Sequence, residues 1–346
     1  MGIISNAYRG VTPFCIRRSI YRHTKQWRES KEVARILVER YHLKNGNKVF
    51  WDIYFSWYRF GATAEDYLGF DFLHKDRTAR KEYFTEGDNE KYLKLMSDEY
   101  SCNILRNKHL FNAHFASLIH RDWVLVDASS VAALETMAKK HKSVVVKPFN
   151  TGEGEGVERL TLPKDEQRLR TLIDACSKGT RLMVEEEVEN CKEMKNLNPN
   201  SVNTLRIITL RHGDGHIEIR GVWVRVGTGD GVADNLCKGG VCIPVDLSTN
   251  SLAKSGFNNR LTSFAVHPTT GITFSGYKLP FVSEAIDICK KACEMLPEAK
   301  YVGWDIIPTN KGMELLEGNI PLGEVIPQMF ETAGIKSYLL KVLRRK

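Results

Sequence analysis

Apolar and polar positions change period along the chain, and the changes mark its elements. Residues 30–41, SKEVARILVERY, place Val33, Ile36, Leu37 and Val38 at helical spacing. An aromatic run follows from Phe50 to Phe72, read as core and subdomain packing before a stacking surface for bases or sugars. Residues 75–100 interleave Lys and Glu with Tyr and Leu and read as helical. A helix from Lys108 leads into a short strand, and Val131–His141 is a second helix. Ser143–Lys147 is β-branched and closes at Pro148, and Val157–Leu162 is its strand partner. Glu166–Ser177 reads as helix and Arg181–Val184 as strand. Residues 201–211 and 216–227 alternate as a hairpin across Gly213–Gly215, and 241–247 adds a strand. Ser283–Glu294 is helical and precedes a final hairpin, Tyr301–Ile307 with Met313–Glu317. No internal repeat or low-complexity linker interrupts this order.

The final hairpin holds the candidate chemistry. Strand side chains alternate faces, so Glu317 and Asn319 point the same way. A turn about Asn310 or Lys311 brings Asp305 to that face as a diagonal neighbour, about 7–8 Å away between Cβ atoms. Two carboxylates so close repel unless a cation lies between them, and carboxylate and amide oxygens suit Mg²⁺. The flanking Ile306, Ile307, Leu315 and Leu316 argue for a cleft rather than a surface hairpin. Elsewhere the signals are weaker when taken singly. Asn150–Val157, with Gly152, Gly154 and Gly156, joins two strands, unlike a dinucleotide fingerprint or a P-loop. Its glycines would let backbone amides approach a phosphate, with Glu153 and Glu155 facing outward. Glu185–Glu187 alone reads as a solvated edge, and Arg206 alone as a surface arginine on a strand.

Composition narrows the class. The 346 residues are 42% hydrophobic and 27% charged, ordinary for a globular protein of two or three subdomains. No apolar run approaches the ~18 residues of a membrane span, and the start has no apolar h-region. Asn6 stands where a myristoylation signal wants Ser or Thr. Eight cysteines include no CxxC pair; Cys289 and Cys293 are one helical turn apart, and Cys237 and Cys242 five positions apart. That fits a reducing cytosol better than a disulfide framework or a zinc site. The net charge of +8 is carried by residues 1–48, with eleven Lys or Arg against three Glu. Such a lead either presents a solvated helix face or touches nucleic acid or an anionic membrane, the last through residues 1–28.

In this order, VVVKP ending at Pro148, TGEGEGV, MVEEEV, SVNTLRI, DNL with KGG, and GWDI with LEGN resemble the ATP-grasp superfamily. The nearest resemblance is to the sugar-transfer associated ATP-grasp proteins of capsule and polysaccharide gene clusters. It covers about residues 100–330, and YRFGATAEDY (58–67) is similar to the family's front portion. The resemblance implies an α+β ATP-grasp fold with two subdomains clamping ATP. It implies phosphate contacts from Lys108 and Lys147, and a loop closing over the triphosphate at Gly152, Gly154 and Gly156. Glu185 and Val188 match the adenine-contacting hinge, with Glu193 toward the ribose. Arg206 matches the arginine that steadies the transferred phosphoryl, and Asp305, Glu317 and Asn319 match the magnesium triad. Arg225, Asn235, Gly239 and Gly240 are candidates for substrate contact.

The expected organisation is a basic, aromatic-rich region at 1–100, a lid subdomain at 101–188, a metal-binding subdomain at 189–330 and a C-terminal helix at 331–346. The expected activity is ATP- and Mg²⁺-dependent ligation of a carboxylate to an amine through an acyl phosphate. A uronic-acid sugar in polysaccharide biosynthesis is the expected carboxylate. The alternatives are a kinase acting on a sugar or polyol hydroxyl, and a surface adaptor with degenerate ATP binding. Partners are small or sugar-linked substrates, without nucleic acid, in the cytoplasm or peripherally at the inner membrane face.

Overall fold

The computed structural model describes residues 14–149, 156–229, 239–323, 325–329 and 333–345, with side chains from residue 21 onward. Gly152, Gly154 and Asn235 therefore lie outside the described residues. Contacts divide the chain into two compact units, Met1–Leu93 with Gly323–Lys341 and Lys94–Leu322 with Val342–Lys346. Among the described residues no helix is long and apolar enough to cross a membrane.

The first unit is helical. Helix α1 (Phe14–Tyr41) buries Gln26, Ser30, Val33 and Leu37, spaced as one stripe. Helix α2 (Gly46–Phe60) is opened by Asn45, whose side chain accepts the Lys48 N–H at 3.0 Å. Gly61 closes it at φ 70°, donating to Trp57 O at 2.9 Å. A Cβ at 61 would also lie 3.0 Å from Gly87 Cα, so both positions need glycine for the segments to touch. Asp52 on α2 is gripped by both terminal nitrogens of Arg80 at 2.8 and 2.9 Å and by the Tyr67 hydroxyl at 2.7 Å. The stretch over 75–100 that reads as helical is three helices, Arg77–Lys81, Glu86–Met96 and, within the second unit, Glu99–Arg106. Asp76 and Asp98 accept N–H bonds at the starts of the first and third, so local caps divide the run.

The second unit contains two antiparallel sheets. The smaller has the order β1-β4-β2-β3, from Trp123–Val126, Leu182–Glu186, Ser143–Pro148 and Glu158–Thr161. The helices Val131–Lys140 and Glu166–Ser177 cover it, and Val126, Leu134, Val144, Leu160, Leu172 and Val184 form its core. Through β5 (Thr204–Arg211), β6 (Ile217–Val226), β7 (Val241–Asp246), β11 (Tyr301–Thr309) and β12 (Gly312–Asn319), the larger sheet runs β7-β6-β5-β11-β12. Short strands at 251–252, 256–257 and 263–264 extend its far side. Nearly every residue of β5 and β11 is buried, so both faces of these central strands are covered. Trp304 and Thr209 share one face, where the Trp304 indole donates to Thr209 at 2.8 Å. Cys293 of the helix Val282–Met295 reaches the same hydroxyl. The opposite face carries Arg206, Asp305 and Glu317. All six cysteines whose side chains are described are buried and unbridged.

Candidate functional site

Strand pairing alone assembles a charged row. Trp223 on β6 pairs with Arg206 on β5, Arg206 with Asp305 on β11, and Asp305 with Glu317 on β12. Cross-strand partners share a face, so Arg206, Asp305 and Glu317 project together. Asp305 and Glu317 are thus directly opposite rather than diagonal. The hairpin turns on Asn310-Lys311, and a bulge absorbs Leu316 between the Asp305–Glu317 and Ile306–Leu315 pairs. The bulge shifts the register by one, which the apolar pattern of the two strands could not reveal.

Arg206 is a buried arginine, not a surface one. Its Nε and Nη2 grip Asp305 at 2.6 and 3.0 Å, and Arg225 adds a bond to Asp305 Oδ2 at 2.9 Å. Gly303 makes this possible: a Cβ there would lie 3.1 Å from Arg206 Nη1. Asn319 Nδ2 lies 3.3 Å from both carboxylates. Burial raises the Asp305 pKa, but Arg206 and Arg225 outweigh it and hold the carboxyl below its ordinary range. At Glu317 burial and the neighbouring Asp305 push the carboxyl up by more than Arg225 and Arg206 pull it down. A divalent cation shared by these oxygens would relieve that repulsion, and hard oxygen donors fit magnesium.

The smaller sheet supplies a second cluster. Lys147 on β2 forms an ion pair with Glu185 on β4, and Glu185 is almost wholly buried, not on a solvated edge. Asn112 donates to Glu185 at 3.1 Å, and Arg121 reaches it at 3.2 Å. Burial alone would raise the Glu185 pKa; Lys147 and Arg121 overcome it and depress the value strongly. Arg121 also binds Glu314 on β12 at 2.6 Å and Leu315 O at 2.8 Å. One buried guanidinium therefore ties the small sheet to the strand bearing Glu317. Lys108 lies electrostatically between the clusters: burial and Lys147 lower its pKa, while Glu317 and Glu185 raise it.

A separate trio, Asp122, His141 and Glu186, has ligand atoms within 4.8 Å of one another. There the Asp122 Oδ2 atom is already shared by Lys140 and His141, an internal ion pairing.

These features are matched by a family profile. The profile described as sugar-transfer associated ATP-grasp covers residues 87–344. The chain belongs to the sugar-transfer associated ATP-grasp family. Its fold is accordingly the α+β ATP-grasp fold. No curated protein sequence matches the chain. Among solved structures it is similar to the D-alanine-D-alanine ligase from Coxiella burnetii, at 13% identity over 75% of this chain and 64% of that one, TM-score 0.43. It is similar to the ATP-grasp ligase PsnB complexed with a precursor variant, Mg and ADP, at 13% identity over 72% and 61%, TM-score 0.44. A biotin carboxylase from Campylobacter jejuni aligns at 13% identity over 72% and 48%, TM-score 0.46. The chain spans less than two thirds of the length of each of these three.

In this ATP-grasp protein the remaining expected site residues are dispersed. Val188 follows β4 directly and is half-buried. Glu193 lies on the short helix Lys192–Leu197, where its backbone carbonyl accepts the Tyr277 hydroxyl at 2.8 Å and its side chain meets Cys191. No described contact joins it to Lys147 or Glu185. Gly156 has φ 70°, and a Cβ there would lie 2.7 Å from Pro148 Cγ. Gly239, at φ 91°, accepts from Thr228 at 3.0 Å, and Gly240 is buried before β7. Sequence reasoning missed Arg121, Asn112, Glu314 and Gly303. For Glu314 no signal was available, since simple alternation puts it on the face opposite Glu317 and only the bulge at Leu316 brings it round.

Proposed function

We propose that this protein is an ATP-dependent ligase that activates a carboxylate as an acyl phosphate and joins it to an amine. The observation carrying this reading is the convergence of Lys108, Arg206 and Arg225 on the paired carboxylates Asp305 and Glu317, with Lys147 acting on Lys108 from its pair with Glu185. Cations set around one buried and one half-buried acid suit a polyphosphate that arrives with a divalent metal.

Asp305, Glu317 and Asn319 would hold magnesium, which when bound supplies neutralising charge to the phosphate oxygens. Lys108 and Lys147 place ammonium groups against those oxygens. Arg206, fixed by Asp305 through Nε and Nη2 and with Nη1 at 3.4 Å from Leu322 O, would set its guanidinium charge against the phosphoryl group in transfer. Arg225, with one terminal nitrogen on Asp305 and Nε on Thr204, would orient the substrate carboxylate. The carboxylate oxygen attacks the γ-phosphorus and ADP leaves. The amine then attacks the acyl carbon, expels inorganic phosphate and releases its proton. Positioning and charge are sufficient, so no side-chain nucleophile is needed. The family's association with sugar transfer supports a sugar-linked carboxylate, a uronic acid in polysaccharide biosynthesis, as the substrate class.

The test supplies the protein with ATP, magnesium, a uronic acid and hydroxylamine. ADP and phosphate should appear in equal amounts together with a hydroxamate. Lys147→Ala and Arg206→Ala should suppress all three products. A stable phosphorylated sugar, without free phosphate or hydroxamate, would replace this reading with a kinase.

A further inference from the structure

Helix α2 is apolar on two faces. Val49, Ile53 and Ser56 form its buried stripe. Trp51, Phe55 and Tyr58 repeat the same spacing on the other side, where they are 44%, 41% and 56% exposed. A surface helix ordinarily presents polar residues there. The rings form a continuous layer: Trp51 stacks on Phe55 at 5.4 Å, Phe55 meets Tyr58 at 6.3 Å, and Trp27 of α1 meets Trp51 at 5.7 Å. Six of the ten large hydrophobic side chains exposed among the described residues fall between Tyr21 and Tyr58. So the exposure is concentrated rather than scattered.

Cations are built into the same face. The Lys31 ammonium lies 5.4 Å from the Trp27 ring, and the Arg59 guanidinium 5.7 Å from Phe55. Between α1 and α2 runs a groove of about 530 Å³. Its floor includes the buried Ala34 and Phe50, and the exposed Lys31 and Arg35 stand over it beside Trp27 and Trp51. Helix α1 carries eight Lys or Arg against three Glu. Asp52, the acid on α2, is turned to Arg80 and Tyr67.

We infer that the α1–α2 face docks on an anionic phospholipid bilayer. Amphipathic rings with cations alongside are the chemistry of the membrane interface, where rings enter the headgroup region and Lys and Arg meet lipid phosphates. The groove gives one lipid both halves of that match, an apolar floor and two cations. Docking places the surface on residues 21–59 rather than on the basic lead before them, and it is independent of the ligase reading.

Cosedimentation of the full chain with phosphatidylcholine vesicles containing one quarter phosphatidylglycerol tests this. Binding should be strong at low salt, weak on pure phosphatidylcholine, and accompanied by a blue shift of tryptophan emission. Trp51→Glu/Phe55→Glu and Lys31→Glu/Arg35→Glu should each weaken it at least tenfold, about fivefold being expected per basic residue near the surface. Phe55→Ser, a milder change at an exposed position, should lower it with an unchanged circular dichroism spectrum. Arg9→Glu/Arg17→Glu/Arg18→Glu should retain most binding and the full blue shift. Equal binding to uncharged vesicles, or loss only in that last variant, would overturn the assignment. So would a concentration-dependent dimer, or retention of single-stranded RNA, that Trp51→Glu/Phe55→Glu abolishes while vesicles never bind.

Discussion

At Arg121 one side chain holds more of the site together than any residue the sequence singled out. Its guanidinium meets Glu185, Glu314, Asn112 and two carbonyls while almost wholly buried. Removing one partner of such a pair leaves uncompensated buried charge, typically at a cost of 3–5 kcal/mol. Arg121→Met should lower unfolding free energy in urea by about that amount, and Arg121→Lys should recover only part, because an ammonium cannot reproduce the fork. A loss below about 1 kcal/mol would mean that the network contributes little. Glu317→Gln should behave oppositely, because it removes a repelled carboxyl: the fold should hold or gain stability while ATP turnover falls by orders of magnitude. Wild-type turnover in Glu317→Gln, still needing magnesium, would remove Glu317 from the proposed metal site. Asp305 and Glu317 were legible because each lies in a motif with internal logic, two acids on one hairpin face. Arg121 was not. An arginine in HRDW looks like any surface arginine until the chain folds Glu185 and Glu314 around it.

Among elements, helices and strands were read about equally closely, and the helix Glu166–Ser177 has its expected bounds. Thr204–Arg211 and Ile217–Val226 fall inside the expected hairpin, because alternation and a glycine turn fix both ends. The 75–100 stretch was read as helical without internal breaks being placed, because its composition is uniformly helix-forming. The breaks come from aspartate caps at 76 and 98, which composition does not weigh. A third capped element allows a pH test. Asp66 accepts the Thr63 and Glu86 N–H groups at 2.9 and 3.0 Å, and burial, the largest influence, pushes its carboxyl up to about 7. Its folded pKa lies above the unfolded value, so its stabilising contribution is complete below about pH 3.8 and is lost as pH rises through about 7. The wild type should therefore lose stability between about pH 4 and 8, by on the order of 4 kcal/mol for this group alone. Asp66→Asn keeps an acceptor for both N–H groups and should flatten that slope. An unchanged slope in guanidinium titrations across the range would show that another group sets it.

For the whole molecule, the division into two units predicts where a nucleotide is felt. Every residue assigned to phosphate or magnesium lies in Lys94–Leu322, and the exposed aromatic face lies in the other unit. A ligand that binds only the folded state stabilises by RT ln(1 + [L]/Kd), about 2.7 kcal/mol at a hundredfold excess over Kd. That stabilisation should concentrate where the ligand makes contact, because local opening free energies differ across a structure. Amide hydrogen exchange read by mass spectrometry separates the regions. ATP with magnesium should slow exchange in 143–148, 182–188, 204–211 and 301–319, and leave 21–60 nearly unchanged. ATP without magnesium should give a smaller effect, concentrated near Lys147. In Glu317→Gln the two conditions should converge, since the metal no longer adds to binding. Anionic vesicles should produce the complementary pattern, protection within 21–60 and little in 301–319. Protection by ATP that spread evenly over both units would show a coupling that the position of the charged row does not require. Protection confined to 21–60 would move the nucleotide site off the Arg206, Asp305 and Glu317 row altogether.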